Sequence, residues 1–263
     1  MKKLSVVVVF IFLLFSMAAC GGSDDPPGTS PSTDPSLADD LFDYDDFATD
    51  TTNTAGTWVV AGPGNTWINW DAAGYVALNA DNTSTLTQLV GQLIIDNAGW
   101  PLMTAVAADF KMATYDDVLQ TSNGRWFLSF YNDNTSGSAG VASALDDVFV
   151  TLELYDTFVT YAVQRCNDAG CTATTALKTK TNLATGLTVG KTYTLFVGWD
   201  GATTFTFQVD NKTAVTFDAS TMGSNWASLP YLLNKRIEIV AEAGSSTFFQ
   251  LQIDNVRTST VWP

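Results

Sequence analysis

The stretch that most restricts the possible folds is Thr192–Phe217, TYTLFVGWDGATTFTFQVDNKTAVTF. Leu195, Val197 and Trp199 alternate on one side of its first run, and Phe205, Phe207 and Val209 do so in its second. Period-two alternation of β-branched and aromatic residues marks a half-buried strand. Asp200-Gly201 and Asp210-Asn211 separate the runs with residue types that tolerate positive φ. The stretch therefore reads as a three-strand meander with Trp199 and Phe205 near its core, and it sets the class of the chain around it.

From Tyr44 onward further strand runs follow one another: Thr57–Val60, Thr66–Trp70, Tyr75–Asn79, Ala105–Ala113, Arg125–Tyr131, Val148–Tyr155, Thr157–Gln164, Arg236–Glu242 and Thr247–Thr258. In Ala105–Ala113, Val106, Ala108, Phe110 and Met112 take one face and Asp109 and Lys111 the other. Ile237, Ile239 and Ala241 likewise oppose Arg236, Glu238, Val240 and Glu242. Turn clusters such as Asn132-Asp133-Asn134 lie between the runs. Ten or more alternating strands without βαβ spacing imply an all-β, antiparallel two-sheet sandwich, built as one domain over residues 44–263. Ser84–Ile95, rich in Thr and Ile, is left open between helix and strand.

The chain begins as an export segment. Lys2 and Lys3 precede an apolar run, Leu4–Phe15, and Ser16-Met17-Ala18-Ala19 leads to Cys20. The run is short for a membrane span, which favours a cleaved signal over residues 1–19. The last four positions resemble the lipobox of bacterial lipoproteins, with Met17 where that family usually has Leu. The resemblance implies that Cys20 carries the lipid and that Gly21 after it favours outer-membrane retention. Residues 20–43 are Pro, Gly, Ser and Asp with hardly an apolar side chain, so they read as a disordered tether with a mean reach of about 25–30 Å. The expected location is the envelope of a Gram-negative bacterium, lipid-anchored at the outer membrane or cell surface, with the bilayer as a partner through Cys20.

Charge and composition exclude several functions. The formal net charge is −15, and loss of Lys2 and Lys3 with the signal takes it to −17. So acidic a surface repels phosphate backbones and argues against nucleic-acid binding. The chain has no histidine, which removes His-dependent triads and most zinc or copper sites. A metal here would be a hard cation held by oxygen, and Ca2+ suits an exported protein. With Cys20 assigned to lipid, Cys166 and Cys171 in RCNDAGC flank a turn, and a disulfide closing a hairpin loop is expected of them. Free thiols or a metal pair are the alternatives.

Five motifs in order carry a wider resemblance: YDDFATD followed by Trp58, MTAVAADFKM, GRWFLSFYND, VGKTYTLFVGWDGATTFTFQVDNKTAVTF and FFQLQIDNVRTS. They resemble the concanavalin A-like lectin/glucanase superfamily, especially its laminin-G-like bacterial modules, from Tyr44 to Thr258. The resemblance implies a jelly roll, with MTAVAADFKM at a sheet centre, the meander among central strands and I-D-N-V on the closing strand. A galactose-binding-like module is the rival.

Three sets of residues could carry chemistry. Glucanases of the superfamily place Glu, Asp and Glu at alternate positions of one strand near the middle of the chain. Glu238, Val240 and Glu242 keep that spacing, with valine at the central acid and a position near the chain's end, so Glu238 and Glu242 are the catalytic pair if the chain is an enzyme. Asp46 and Asp254, with Asp45, lie on terminal segments that the fold brings together, where the resemblance implies that structural Ca2+ can sit. Tyr131, Glu153, Tyr155 and Glu238 fall on faces opposite the apolar ones and could line a shallow sugar-binding groove. The expected function is a non-catalytic carbohydrate-binding or adhesion module with glycan as its partner. The alternatives are a glycoside hydrolase acting on a polysaccharide, and a structural cell-surface protein without a small ligand; a protein partner is compatible with each.

Overall fold

The computed structural model describes residues 35–52, 59–61, 68–82, 89–97, 104–116, 123–132, 145, 148–169, 172–225, 232–243 and 247–259. They form two antiparallel sheets. Sheet A runs β13 (Val215–Asp218), β12 (Thr204–Val209), β11 (Thr192–Trp199), β6 (Ala105–Asp116), β15 (Thr247–Thr258), β4 (Tyr75–Asn82) and β3 (Ile68–Asp71). β1 (Phe42–Asp45) joins it by pairing with the end of β15, Phe42 opposite Thr258. Sheet B runs β10 (Thr174–Thr185), β9 (Phe158–Cys166), β8 (Val148–Leu154), β7 (Asn123–Asn132), β14 (Leu232–Ala243), β5 (Leu89–Asn97) and β2 (Val59–Ala61).

One apolar cluster fills the space between the sheets. Sheet A contributes Val106, Ala108, Phe110 and Met112 of β6, Phe249, Leu251 and Ile253 of β15, and Phe205, Phe207 and Val209 of β12. Sheet B answers with Val148, Val150, Leu152 and Leu154 of β8 and Val159, Tyr161 and Val163 of β9. These are the alternate positions of each strand, so period two in the sequence becomes one dry face per sheet. Each large side chain withdrawn from water this way stabilises the fold by about 1.5–3 kcal/mol. The Tyr161 and Phe207 rings meet across the interior at 4.6 Å, tilted by 39°.

Several expectations change in detail. The meander is present, and Trp199 and Phe205 are buried in the core, but it forms one margin of sheet A with β13 at the edge rather than the centre. β6 does lie in the middle of that sheet. From Leu89 the open segment is strand, part of β5, where Val90, Ile94 and Ile95 supply β-branched side chains. β10 went unread in the sequence because TTALKTKTNLAT is largely polar, as suits a sheet-edge strand.

Order also begins earlier than residue 44. A short 3-10 turn, η1 (Leu37–Asp40), packs on the outer face of sheet A, with Ala38 fully buried against Ala105, Ala107 and Phe196. Gln208 fastens it: its Oε1 accepts from Leu37 N at 2.8 Å, and its Nε2 donates to Pro35 O at 3.2 Å. Leu37, Ala38 and Leu41 are among the few apolar residues of a largely polar tether, and they pack together on Ala105, Ala107 and Phe196.

Candidate functional site

The outer face of sheet B, turned away from the core, carries the polar chemistry. Val148, Val150, Leu152 and Leu154 of β8 point inward, which leaves Phe149, Thr151 and Glu153 on the outer side. Thr151 and Glu153 are each only 4% exposed although they do not belong to the inter-sheet core. β8 supplies one carboxylate, Glu153.

Glu153 is held by two neighbours. Lys180 Nζ of β10 lies 2.6 Å from Glu153 Oε2, and Tyr155 Oη donates to the same oxygen at 3.0 Å. Lys180 also donates to Tyr155 Oη at 3.4 Å. Burial acts to lower the Lys180 pKa, yet the Glu153 hydrogen bond and charge carry it above its ordinary value. Burial first, then the Glu153 charge, pushes the Tyr155 phenol up. Tyr155 stacks on Phe158 at 4.3 Å, where the β8–β9 hairpin turns and Tyr155 N donates to Phe158 O. At neutral pH the ammonium stays charged and the phenol stays a donor.

Cross-strand register places the other candidates. Glu153 is opposite Arg125 of β7 on one side and Thr160 of β9 on the other. Arg125 is in turn opposite Val240 of β14. Glu238 is opposite Phe127, and Glu242 opposite Asn123, one step to either side of that row. Glu153, Glu238 and Glu242 are all the glutamates of the chain, and register puts all three on this one face. Two strand spacings and a two-residue offset separate Glu153 from each β14 glutamate by roughly 12 Å at the backbone. Tyr131 follows Phe127 and Ser129 on the same alternation, nearer the end of β7. So Glu153 and Tyr155 are neighbours in space, Glu238 is two strands away, and Tyr131 is more distant along the sheet.

Sequence reasoning missed Lys180 and Thr160. Lys180 belongs to the unread strand β10 and reaches Glu153 across β9, a juxtaposition no local pattern encodes. Thr160 is 4% exposed, and its hydroxyl finds no hydrogen-bond partner among the described residues. Its place within an alternating strand was legible; its lack of a partner was not.

The metal candidates gather at the other sheet. Asp254 is opposite Asp109 in the β15–β6 ladder. Its pKa is raised first by burial and then, against a hydrogen bond from Asn255 N that lowers it, by the charges of Asp109, Asp46 and Asp45. Asp45 uses Oδ1 to accept from Phe47 N at 2.8 Å and Oδ2 to accept from Thr51 Oγ1 at 2.6 Å. Asp46 accepts from Ala48 N at 3.0 Å. Asp109 is bound by Arg257 Nη2 at 3.0 Å and Thr194 Oγ1 at 2.6 Å. Among the described residues no group of three acids closes on one point. The sequence-predicted set therefore shares a field without forming a three-carboxylate cage.

Cys166 is buried at the end of β9 and disulfide-bonded. Cys171 and Cys20 lie outside the described residues. Asn167 N donates to Ala173 O at 2.8 Å, just beyond the end of β9.

No family model and no curated protein matches the chain. Its fold is the concanavalin A-like jelly roll, and it is similar to several solved structures of that class. One is a non-specific endo-β-1,3(4)-glucanase of glycoside hydrolase family 16 with 1,3-β-D-cellobiosyl-glucose at its active site, 14% identical over 89% of this chain and 99% of that one, with a TM-score of 0.56. A family 16 endo-glucanase from Bacteroides ovatus, in complex with G4G3G-2F-DNP, is 15% identical over 81% and 98%, with a TM-score of 0.54. The β-glucanase of Bacillus licheniformis is 12% identical over 84% and 99%, with a TM-score of 0.51. The expectation of a non-catalytic binding or adhesion module is corrected by this comparison. These three proteins, which share the fold across four-fifths or more of this chain, are glucanases, two of them holding saccharides, so the hydrolase alternative has the better support.

Proposed function

We propose that the protein is a glycoside hydrolase acting on a polysaccharide, with the outer face of sheet B as its active site. The observation that supports this most is the collection of every glutamate of the chain on that face, with Glu153 buried there. Glycoside hydrolysis needs one carboxyl to protonate the leaving oxygen and a second, ionised one to attack the anomeric carbon or to take a proton from water. Glu153 is one member of the pair. Its partner comes from β14, Glu238 or Glu242, because β8 has Phe149 and Thr151 where further acids would stand. Their backbones stand roughly 12 Å apart, two strand spacings and two residues, and the carboxyl groups of such a pair are about 5–9.5 Å apart. The favoured substrates are β-1,3 and mixed-linkage glucans, the class that the names of the neighbours carry. Reducing-end release from a glycan panel tests the reading, with Glu153→Gln as the control that abolishes it.

The remaining roles follow from the sequence. The protein is exported and lipid-anchored through Cys20, held at the outer membrane or cell surface where polysaccharide is met. Cys166 pairs with Cys171 and stiffens the β9–β10 loop. Ca2+ binds near Asp46 and Asp254; the half-buried Asp254 lies in the field of Asp109, Asp46 and Asp45, which supports a cation there, with backbone carbonyls completing an oxygen set.

A further inference from the structure

We propose that the buried hydroxyl of Thr160 is a subsite for a sugar hydroxyl, roofed in the free protein by the Lys180–Glu153 bridge and uncovered when substrate displaces Lys180. The inference rests on the hydrolase reading and names a specificity residue within that site.

The geometry is set by strand order. β10, β9 and β8 are consecutive neighbours in sheet B. Lys180 sits on β10 and Glu153 on β8, so a 2.6 Å contact between their heads requires the lysine arm to cross β9. On β9 the residue opposite Glu153 is Thr160, and the residue opposite Thr160 on β10 is Asn182, two positions from Lys180. The crossing therefore passes beside Thr160. Its hydroxyl is shut away from solvent and finds no partner among the described residues. A buried hydroxyl without a hydrogen bond is costly, and folds keep such groups mainly where something else satisfies them. Thr160 is flanked on its own face by Phe158 and Ala162, which offer no polar side-chain atom. Serving the fold is thus not what this hydroxyl does.

A ligand supplies what is missing. In the bridge the Lys180 side chain is half exposed at 51% and Glu153 is buried at 6%, so it is the lysine that can swing into water. With Lys180 away, the Glu153 carboxylate and the Thr160 hydroxyl are presented side by side, on adjacent strands about 4.8 Å apart. A pyranose hydroxyl can then bond the threonine while the neighbouring carboxylate is free to act. Tyr155, still donating to Glu153, keeps that carboxylate oriented. Sites built to bond a substrate hydroxyl discriminate against analogues lacking it because their own polar group is otherwise left unpaired.

Thr160→Val separates this role from a structural one, since the two predict opposite signs. The melting temperature should stay level or rise, because a methyl group replaces an unpaired hydroxyl of the same shape. Binding of thio-linked β-glucan oligosaccharides, which are not cleaved, should weaken about 5–10-fold, the loss of one neutral hydrogen bond. Thr160→Ser should keep the affinity. Lys180→Ala should tighten binding in the wild-type background and have no such effect on Thr160→Val if the roof and the hydroxyl belong to one subsite. A melting temperature several degrees lower in Thr160→Val, or unchanged oligosaccharide affinity, overturns the subsite alone. If the wild type binds none of these oligosaccharides at millimolar concentration, the hydrolase reading fails and takes the subsite with it.

Discussion

Phe207→Ala tests whether the two sheets are joined as described. Phe207 has no solvent exposure and belongs to β12, while its partner ring, Tyr161, is on β9 of the opposite sheet and 5% exposed. Removing a fully buried phenylalanine costs about 3–5 kcal/mol through lost transfer energy and the cavity left behind. The tilted ring contact at 4.6 Å adds about 0.5–1.5 kcal/mol of specific coupling. Against a typical domain stability of about 5–15 kcal/mol, the variant should lose a large share of its margin. Urea unfolding followed by tryptophan fluorescence should show a lower midpoint with an unchanged slope, because the surface exposed on unfolding is the same. A double-mutant cycle with Tyr161→Leu isolates the ring contact. A loss under about 1 kcal/mol for Phe207→Ala, a size ordinary at surface positions, would refute the packing. So would a cycle with no coupling. Because Tyr161 adjoins Thr160 on β9, the same variant should also weaken oligosaccharide binding.

Other perturbations probe separate parts of the account. Gln208→Ala removes the bonds to Leu37 N and Pro35 O, so limited proteolysis should cut near η1 sooner, with a global loss of only about 1–2 kcal/mol. Gly198→Ala places a Cβ 2.9 Å from the Phe196 ring that η1 covers, and should release η1 without unfolding the sandwich; unchanged protease resistance there would contradict the docking. For Asp254 the sign is set by a raised pKa: the contribution to stability is full at low pH and is lost as pH rises through its folded-state titration. Asp254→Asn should therefore raise the melting temperature in chelator at pH 7 and leave it unchanged near pH 3. Added Ca2+ should raise the wild-type melting temperature but not that of Asp254→Asn; indifference of the wild type to both chelator and calcium ends the cation proposal.

Much of the sandwich was legible because one apolar face per strand is written directly as period two. The meander, β6, β8 and β15 were readable on that ground alone. Sheet membership was not, since nothing local tells β14 to lie between β7 and β5. β10 was invisible because an edge strand needs few apolar residues and this one spends its positions on Thr and Lys. The acidic surplus also had a reading that only hydrogen bonds make plain. Asp45, Asp46, Asp50, Asp71, Asp200 and Asp218 each accept from the backbone N–H two residues on, closing turns. Much of the negative charge is thus a device for ending strands, and a pair such as Asp45-Asp46 is weaker evidence for a metal than its sequence suggests. Of the candidate site, the faces of Glu153, Tyr155 and Glu238 were legible from strand alternation. Their association with Lys180 and Thr160 depends on three strands lying side by side, which is long-range information.

The most direct test of the central claim is reducing-end release from β-1,3 and mixed-linkage glucans by the wild type and by Glu153→Gln. The wild type should release soluble oligosaccharides, and the variant should be slower by about 10²–10⁴-fold, the usual contribution of a catalytic acid or base. Glu238→Gln or Glu242→Gln should cause a comparable loss, identifying the second carboxyl. No release by the wild type across the panel, or full activity in Glu153→Gln, would contradict the claim.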